Sequence, residues 1–210
     1  MGQGGPFRIL AVCTGNVSRS PVVERLLRSG LDEAAPAVFE VTSAGTRALR
    51  GESAQPESAE LVARFGSSLA GFKARQLNES LVLGADLILG LAEEHVREVL
   101  SWSPSALKRT FTLRQFARAV ADCPPAMSRE EVHDAWLGYV AEAARTRHRL
   151  RTGDPLLDDV ADPFGRGAPA YQRMAVELIP AVEALIRAAA VPRRPRLRTL
   201  AGPPREPESV

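Results

Sequence analysis

A cysteine and an arginine, separated by five residues, are the side chains whose types and spacing could act together on an anion. Cys13 follows an almost wholly apolar run, residues 7–12, which is typical of a strand buried on both faces of a parallel sheet. Pro21 suits the first turn of a helix, where a missing N–H costs nothing. A turn from strand into helix directs several backbone N–H groups, and the positive end of the helix dipole, at one point. The sequence therefore predicts a site for a phosphate-sized anion between Cys13 and Pro21.

The Cys13 side chain would be a nucleophile in such a site, because the same field favours a thiolate. Arg19, on the first helical turn, could bind two anion oxygens with its planar guanidinium. The Ser20 hydroxyl could donate a hydrogen bond to the thiolate, and the Asn16 amide could brace the loop. The alternative is a small cysteine packed at the end of a strand. The neighbouring Gly15, together with the arginine, serine and proline in register, favours the chemical interpretation.

Cleavage of a phosphate ester also needs a proton donor for the leaving oxygen, and a positioned carboxylic acid can supply it. Two aspartates precede a proline, Asp154 and Asp162. A proline holds the residue before it out of the helical conformation, as an acid carried by a loop requires. From these residues alone both aspartates remain candidates, and either pair could be a simple turn.

Length, charge and cysteine content restrict the class of protein. A chain of 210 residues can form one domain with a full core, and a formal net charge of +2 requires no nucleic-acid partner. Two cysteines, Cys13 and Cys123, cannot form a disulfide framework, which fits a reducing compartment. No apolar run is long enough to span a membrane, and residues 1–6 lack the features of a signal peptide. We therefore expect a cytoplasmic protein without stable membrane insertion.

Strands and helices are predicted to alternate, which gives a parallel sheet with helices on both faces. The expected class is α/β, a three-layer sandwich with a four-stranded parallel sheet and a phosphate-binding loop after the first strand. The predicted strands are 7–12, 39–41, 86–91 and 110–113, and the predicted helices begin near residues 21, 56, 93, 114, 128 and 168. Core candidates on the helices from residues 56 and 168 are Leu61, Val62, Phe65, Tyr171, Met174, Val176, Leu178, Ile179, Val182, Leu185 and Ile186.

The stretch from Cys13 to Pro21 resembles the phosphate-binding loop of the low-molecular-weight protein tyrosine phosphatases. That loop has a cysteine, five residues that include Gly-Asn, and then Arg-Ser-Pro. Three further segments support the resemblance, which extends over most of residues 7–190: Thr42–Thr46, Ala85–Leu89 and Asp162–Gly165. The resemblance implies that residues 1–190 form one phosphatase domain.

The resemblance also implies an activity and roles for the motif residues. The expected reaction is hydrolysis of phosphotyrosine-type monoesters of proteins through a phosphocysteine intermediate, with inorganic phosphate as product and without metal or cofactor. Cys13 would attack phosphorus, Arg19 would hold the phosphate, and Asp162 would be the acid, because Phe164 and the last helix follow it as in the family's acid loop. Leu49 and Phe164 would form the walls of the substrate slot. Further phosphate-binding residues would be Thr14, Gly15, Asn16, Val17, Ser18 and Ser20.

The chain departs from compact members of that family before Asp162, where a helical insertion at about 120–153 is expected. Ser128 is a candidate N-cap for its main helix. The apolar face of this helix either extends the core or forms a homodimer surface built on Trp136 and Tyr139. The residues of that face are Val132, Trp136, Tyr139, Val140 and Ala143.

Two basic segments complete the chain. The run 145–151, which alternates arginines with other residues, is either a solvated helix face or a docking rim for acidic partners. Residues 191–210 are rich in Pro and Arg, show no hydrophobic period and are predicted to be a disordered tail. His133 and His148 have no Cys or carboxylate partner at metal-ligand spacing, so we predict no metal site.

Three other functions remain open. Arginine phosphatases have a similar loop but carry a small polar residue after the asparagine, where this chain has Val17. Arsenate reductases coupled to thioredoxin need further cysteines, and Cys123 alone provides no relay pair. A phospho-ligand binding module without turnover would not require the nucleophile, the arginine and the acid together.

Overall fold

The fold is built on a parallel β-sheet, seen in a computed structural model that describes residues 5–191 except 122, 125 and 127. Within these residues the sheet has four strands in the order β2–β1–β3–β4, all parallel. They are β1 Phe7–Cys13, β2 Phe39–Gly45, β3 Leu87–Gly90 and β4 Thr110–Thr112. The predicted class is confirmed. From β1 the chain passes through α1 to β2 on one side, and from β2 it returns to β3 on the other side of β1. The connections therefore change direction at β1, and a cleft opens at its carboxyl end.

Helices cover both faces of this sheet. The first begins at Arg19, before the predicted start at Pro21, so that Arg19 and Ser20 lie in its first turn. Four short helical segments were not predicted, because they contain too few apolar positions to show a period. The α-helices in the described part of the chain are α1 Arg19–Ala34, α2 Pro56–Ala63, α3 Glu79–Gly84, α4 Glu93–Trp102, α5 Leu113–Ala121, α6 Arg129–Arg145, α7 Arg147–Leu150, α8 Pro155–Asp158 and α9 Gly167–Ala189, and a 3₁₀-helix spans Pro104–Arg109.

The alternation of side chains along β1 divides the core into two layers. Ile9, Ala11 and Cys13 face the larger layer, which contains buried residues of α1, α5, α6 and α9. Leu10 and Val12 face a smaller layer with residues of α3 and α4. The strand is therefore buried on both faces, as its apolar sequence predicts.

Most core predictions on α2 and α9 are confirmed, but two are wrong. Phe65 is 49% exposed because α2 ends at Ala63 and the helical period does not reach it. Val176 is 75% exposed because it lies on the side of α9 opposite the buried Met174 and Leu178.

The apolar face of α6 packs into the core. The Trp136 ring is fully buried, with its centroid 5.5 Å from that of Phe7 and 4.8 Å from that of Phe39. Tyr139 is buried beside it. A homodimer surface built on Trp136 and Tyr139 is contradicted, because the same chain covers both rings.

The basic run is tied in part to the body of the protein. The Arg147 guanidinium lies 4.2 Å from the Phe111 ring centroid and donates to the Thr110 carbonyl at 2.8 Å. His148 and Arg149 are exposed.

The predicted tail, residues 191–210, lies outside the described residues from 192 onwards. In the part of the chain that is described, no helix has the length and apolar character needed to cross a membrane.

Candidate active site

The loop after β1 keeps its shape because a neighbouring segment, residues 46–55, binds its carbonyl groups. In a trans peptide the C=O and the next N–H point in opposite directions. The N–H groups that follow these carbonyls therefore point to the inner side of the loop, where an anion would bind. The hydrogen bonds, from N–H to C=O, are Thr46 to Cys13 at 2.9 Å, Arg47 to Thr14 at 3.0 Å, Leu49 to Gly15 at 3.0 Å and Gln55 to Val17 at 2.8 Å.

Gly45 allows this close approach of the two segments. It pairs with Cys13 across β1 and β2. A Cβ atom at Gly45 would lie 2.5 Å from the Thr14 carbonyl oxygen and 3.0 Å from the Ala48 Cα atom. Because both contacts are with backbone, any side chain here would displace the loop.

The Cys13 sulfur lies at the bottom of the loop. Its Sγ atom is 3.0 Å from Ser20 Oγ and 3.3 Å from the N–H of Asn16. Asn16 has a φ of 54°, a left-handed conformation that asparagine tolerates. Its Oδ1 accepts the N–H of Arg75 at 2.8 Å, so its Nδ2 group faces Ser20 and Ser43, each at 2.9 Å.

These contacts set the direction of each hydrogen bond. Ser43 donates to Glu24 Oε2 at 2.6 Å, since a carboxylate only accepts, and it therefore accepts from Asn16. Ser20 also accepts from Asn16, so its own proton is available to Cys13. The network thus ends in an O–H directed at sulfur, an interaction that favours a negatively charged sulfur.

Arg19 and Asp162 meet at the mouth of the loop. Arg19 is 3% exposed, and its Nη1 donates to the Val160 carbonyl at 3.1 Å. Its Nη2 lies 2.7 Å from Asp162 Oδ2. The other oxygen of Asp162 accepts the N–H of Phe164 at 3.3 Å. A fixed cation and a partly exposed carboxylate are therefore held side by side.

The two Asp-Pro candidates have different surroundings. The segment before Asp162 is anchored by the N–H of Val160, which donates to the Leu91 carbonyl at 2.8 Å just after β3. Asp154, by contrast, is the N-cap of α8, and its Oδ1 accepts the N–H of Leu156 at 2.9 Å. Asp154 therefore has a local structural role.

A cleft of about 160 Å³ brings most of the predicted site residues together. Asn16 and Ser20 are the exceptions, because they lie buried behind the loop and contact Cys13 from there. The sequence analysis missed Arg47 as a lining residue. The cleft is lined by Cys13, Thr14, Gly15, Val17, Ser18, Arg19, Arg47, Leu49, Asp162 and Phe164.

His95 was also missed, because it lies far from the loop in sequence. Its Nε2 atom is 3.0 Å from Thr14 Oγ1 and 3.4 Å from Glu94 Oε1. Burial, and then the positive charges of Arg19 and Arg47, lower the pKa of His95 from 6.5 to about 3. The imidazole is therefore neutral at neutral pH.

The depressed pKa of His95 should make stability depend on pH. The unfolded chain protonates His95 near pH 6.5 and the folded protein only near about 3, so the unfolded state binds more protons between these values. The free energy of unfolding should therefore decrease as the pH is lowered through this range, by up to about 1.4 kcal/mol per pH unit. Urea unfolding at about pH 7 and about pH 5 should show the wild type losing stability relative to His95→Gln. A constant difference between the two proteins would contradict this assignment.

The arrangement can bind a tetrahedral oxyanion such as a phosphate group and cleave an ester bond at its central atom. A cysteine sulfur, which is a potential nucleophile, lies below inward-pointing N–H groups, with a guanidinium and a carboxylate above it. Among the described residues, no group of three or more His, Cys, Asp or Glu side chains could hold a metal ion.

The chain resembles known proteins both in sequence and in fold. A family model described as low molecular weight phosphotyrosine protein phosphatase matches residues 8–134. The low molecular weight protein-tyrosine-phosphatase Etp of Escherichia coli (strain K12) is 39% identical over 108 residues, 51% of this chain and 70% of Etp. The YwlE arginine phosphatase from Geobacillus stearothermophilus is 27% identical, with a TM-score of 0.62 over 87% of this chain and 92% of its own. A low molecular weight protein tyrosine phosphatase from T. tengcongensis has the same identity, 27%, and TM-score, 0.62, over 86% of this chain and 98% of its own. Since the family model matches more than half of the length of this chain, the chain belongs to the low molecular weight phosphotyrosine protein phosphatase family.

Proposed function

We propose that this protein hydrolyses phosphotyrosine in phosphorylated proteins and releases inorganic phosphate. The observation that carries the proposal is that Cys13, Arg19 and Asp162 line one cleft, with Arg19 2.7 Å from Asp162. A nucleophile, an anion clamp and an acid are the three groups that metal-free cleavage of an aryl phosphate needs.

In the first step, the Cys13 thiolate attacks phosphorus in line with the leaving oxygen. The S–P bond forms as the P–O bond to the aryl group breaks. The loop N–H groups and Arg19 hold the three equatorial oxygens, on which negative charge is spread. Asp162 gives its proton to the leaving oxygen, so that a phenol departs rather than a phenolate.

In the second step, water hydrolyses the phosphocysteine. Asp162, now a carboxylate, takes a proton from the attacking water. The S–P bond breaks, inorganic phosphate forms, and the Cys13 thiolate is restored. Ser20, 3.0 Å from the sulfur, stabilises the leaving thiolate through its hydrogen bond.

The walls of the cleft favour a neutral aryl group over a cationic one. Leu49 and Phe164 offer apolar surface to a ring, and both are about half exposed. Arg47 lines the cleft and forms no ion pair with any carboxylate of the described residues. Its charge would repel the guanidinium of phosphoarginine. This contrast supports phosphotyrosine over phosphoarginine as the substrate.

Turnover of matched substrates tests this choice. We expect kcat/KM for a phosphotyrosine peptide to exceed that for the same peptide with phosphoarginine by about tenfold or more. Arg47→Gln should reduce this ratio, whereas the control Arg50→Gln, at an exposed arginine of the same segment 46–55, should preserve it. Faster turnover of phosphoarginine would make the protein an arginine phosphatase. Reduction of arsenate, or phosphate binding without any turnover, would also contradict the proposal.

We further propose that residues 1–190 form one phosphatase domain with a helical insertion at about 120–153. The packing of α5 directly on α9 supports this, because α6 and α7 lie between them in the chain. A cytoplasmic location is proposed because the Cys13 sulfur must stay reduced to act. We propose no homodimer through α6, since Trp136 and Tyr139 are buried.

A further inference from the structure

His95 is a buried histidine beneath the phosphate loop, and none of the steps above uses it. It lies in the first turn of α4 and is 1% exposed. Its Nε2 atom contacts Thr14 Oγ1 at 3.0 Å and Glu94 Oε1 at 3.4 Å. Its Nδ1 atom has no hydrogen-bond partner within the part of the chain that the structure describes. A buried polar atom without a partner requires an explanation.

The surroundings of His95 determine which ring nitrogen carries the proton. The neutral ring has one N–H group. Both oxygens near the ring face Nε2, and the Glu94 carboxylate can only accept a hydrogen bond. A proton on Nδ1 would leave a buried donor unpaired and place the Nε2 lone pair only 3.4 Å from that negatively charged oxygen. The proton is therefore on Nε2, and Nδ1 keeps an unused lone pair.

This tautomer decides the role of the Thr14 hydroxyl. Because Nε2 of His95 donates, Thr14 Oγ1 is the acceptor of that hydrogen bond. The hydroxyl proton of Thr14 must then point elsewhere. No acceptor for it is present among the described residues, and Thr14 lines the cleft beside Cys13 and Arg19. The O–H group is thus available to whatever the cleft binds.

We infer that His95 is a positioning residue that holds the Thr14 hydroxyl as a hydrogen-bond donor to a phosphoryl oxygen. This inference rests on the proposed function, because it requires a phosphoryl group in the cleft. A neutral ring is needed, since a second N–H on His95 would find no acceptor and would add charge beside Arg19. The Thr14 hydroxyl adds a side-chain donor to the backbone donors of the loop. His95, which belongs to α4 and not to the loop, sets the direction of this hydroxyl.

Steady-state kinetics on a phosphotyrosine peptide, and calorimetry with inorganic phosphate, test this role. Thr14→Val and His95→Leu should each lower kcat/KM by about tenfold and weaken phosphate binding, as expected for one lost hydrogen bond to a charged group. The double variant should be no worse than either single one, because both remove the same interaction. His95→Gln, whose side-chain amide can still donate to Thr14, should recover most of the loss.

Two outcomes would overturn the inference. If the losses from Thr14→Val and His95→Leu multiplied in the double variant, His95 would act by another route. If Thr14→Val kept wild-type kcat/KM and phosphate affinity, the hydroxyl would have no role, and this holds even if His95→Leu fails to fold. His148→Leu, at an exposed histidine of α7, is the matched control and should behave as wild type.

The test also separates this inference from the proposed function. A wild-type protein that bound phosphate but hydrolysed no phosphotyrosine would refute the proposed function. The phosphate affinities of the Thr14 and His95 variants would still test the hydrogen bond. Active wild type with unchanged variants would refute only the role of His95.

Discussion

Cys13→Ser is expected to abolish hydrolysis of an aryl phosphate, lowering kcat by more than about 10⁴-fold. A serine hydroxyl stays protonated at neutral pH and is a much weaker nucleophile than a thiolate. The hydrogen bond from Ser20, which lies 3.0 Å from the Cys13 sulfur, is too weak to turn the introduced hydroxyl into an alkoxide. The N–H groups of the loop and Arg19 are unchanged by the substitution. The variant should therefore still bind inorganic phosphate, and titration calorimetry measures this directly.

A matched cysteine provides the control. Cys123 donates to the Ala119 carbonyl at 3.2 Å, near the end of α5, and Cys123→Ser should keep wild-type turnover. Rapid quenching of the wild type with a labelled substrate should trap phosphate on Cys13. More than a trace of activity in Cys13→Ser would show that the mechanism is not covalent at this sulfur.

Asp162→Asn is expected to lower turnover by about 10²-fold or more for a substrate with a poor leaving group. An amide cannot donate the proton that, in the proposed mechanism, the Asp162 carboxylic acid gives to the leaving oxygen. A substrate whose leaving group needs little protonation should lose much less. Phenyl phosphate and p-nitrophenyl phosphate provide this pair of leaving groups.

The same substitution should tighten the binding of inorganic phosphate. Asp162 lies 2.7 Å from Arg19 and competes with an anion for the guanidinium. Removing its negative charge frees Arg19 and also removes repulsion. A misfolded protein cannot lose turnover and gain phosphate affinity together, so this gain is an internal control.

Asp154→Asn is the matched control for the acid. Asparagine is as good an N-cap as aspartate, so the cap of α8 should survive and both substrates should keep near wild-type rates. Equal losses for both leaving groups in Asp162→Asn would contradict its role as the acid. So would a larger loss in Asp154→Asn than in Asp162→Asn.

The parts of the site that could be predicted from the sequence are those whose geometry is local. The apolar strand, the loop and the helix start lie within Phe7–Pro21, so the position of Arg19 relative to Cys13 follows from the spacing. The same local reasoning left both Asp154 and Asp162 as candidates, and it was the resemblance to the family's acid loop that favoured Asp162. Only the folded chain shows that one caps a helix while the other lines the cleft.

The hydrogen-bond partners behind the loop could not be predicted, because the register of the sheet brings them there. Ser43 is 27 positions from Asn16, and His95 is 81 positions from Thr14. Glu24 left a usable signal, since it falls on the apolar face of α1 that includes Leu27 and Leu31. A charged residue in such a stripe is buried with a partner or exposed by a break in the pattern.

The apolar face of α6 illustrates a second limit. A helical period tells which side chains share a face, but not whether the same chain or another molecule covers that face. For Trp136 the answer depends on Phe7 and Phe39, which belong to strands far away in sequence. Tertiary packing therefore decides between a core and an interface.

The hydrogen bonds that hold the phosphate loop give the protein freedom to change its substrate preference. Arg47 and Leu49 support the loop through their backbone N–H groups, while their side chains line the cleft. Any amino acid except proline supplies the same N–H. Mutation at these two positions can therefore retune recognition during evolution, or in a designed library, while the nucleophile keeps its geometry.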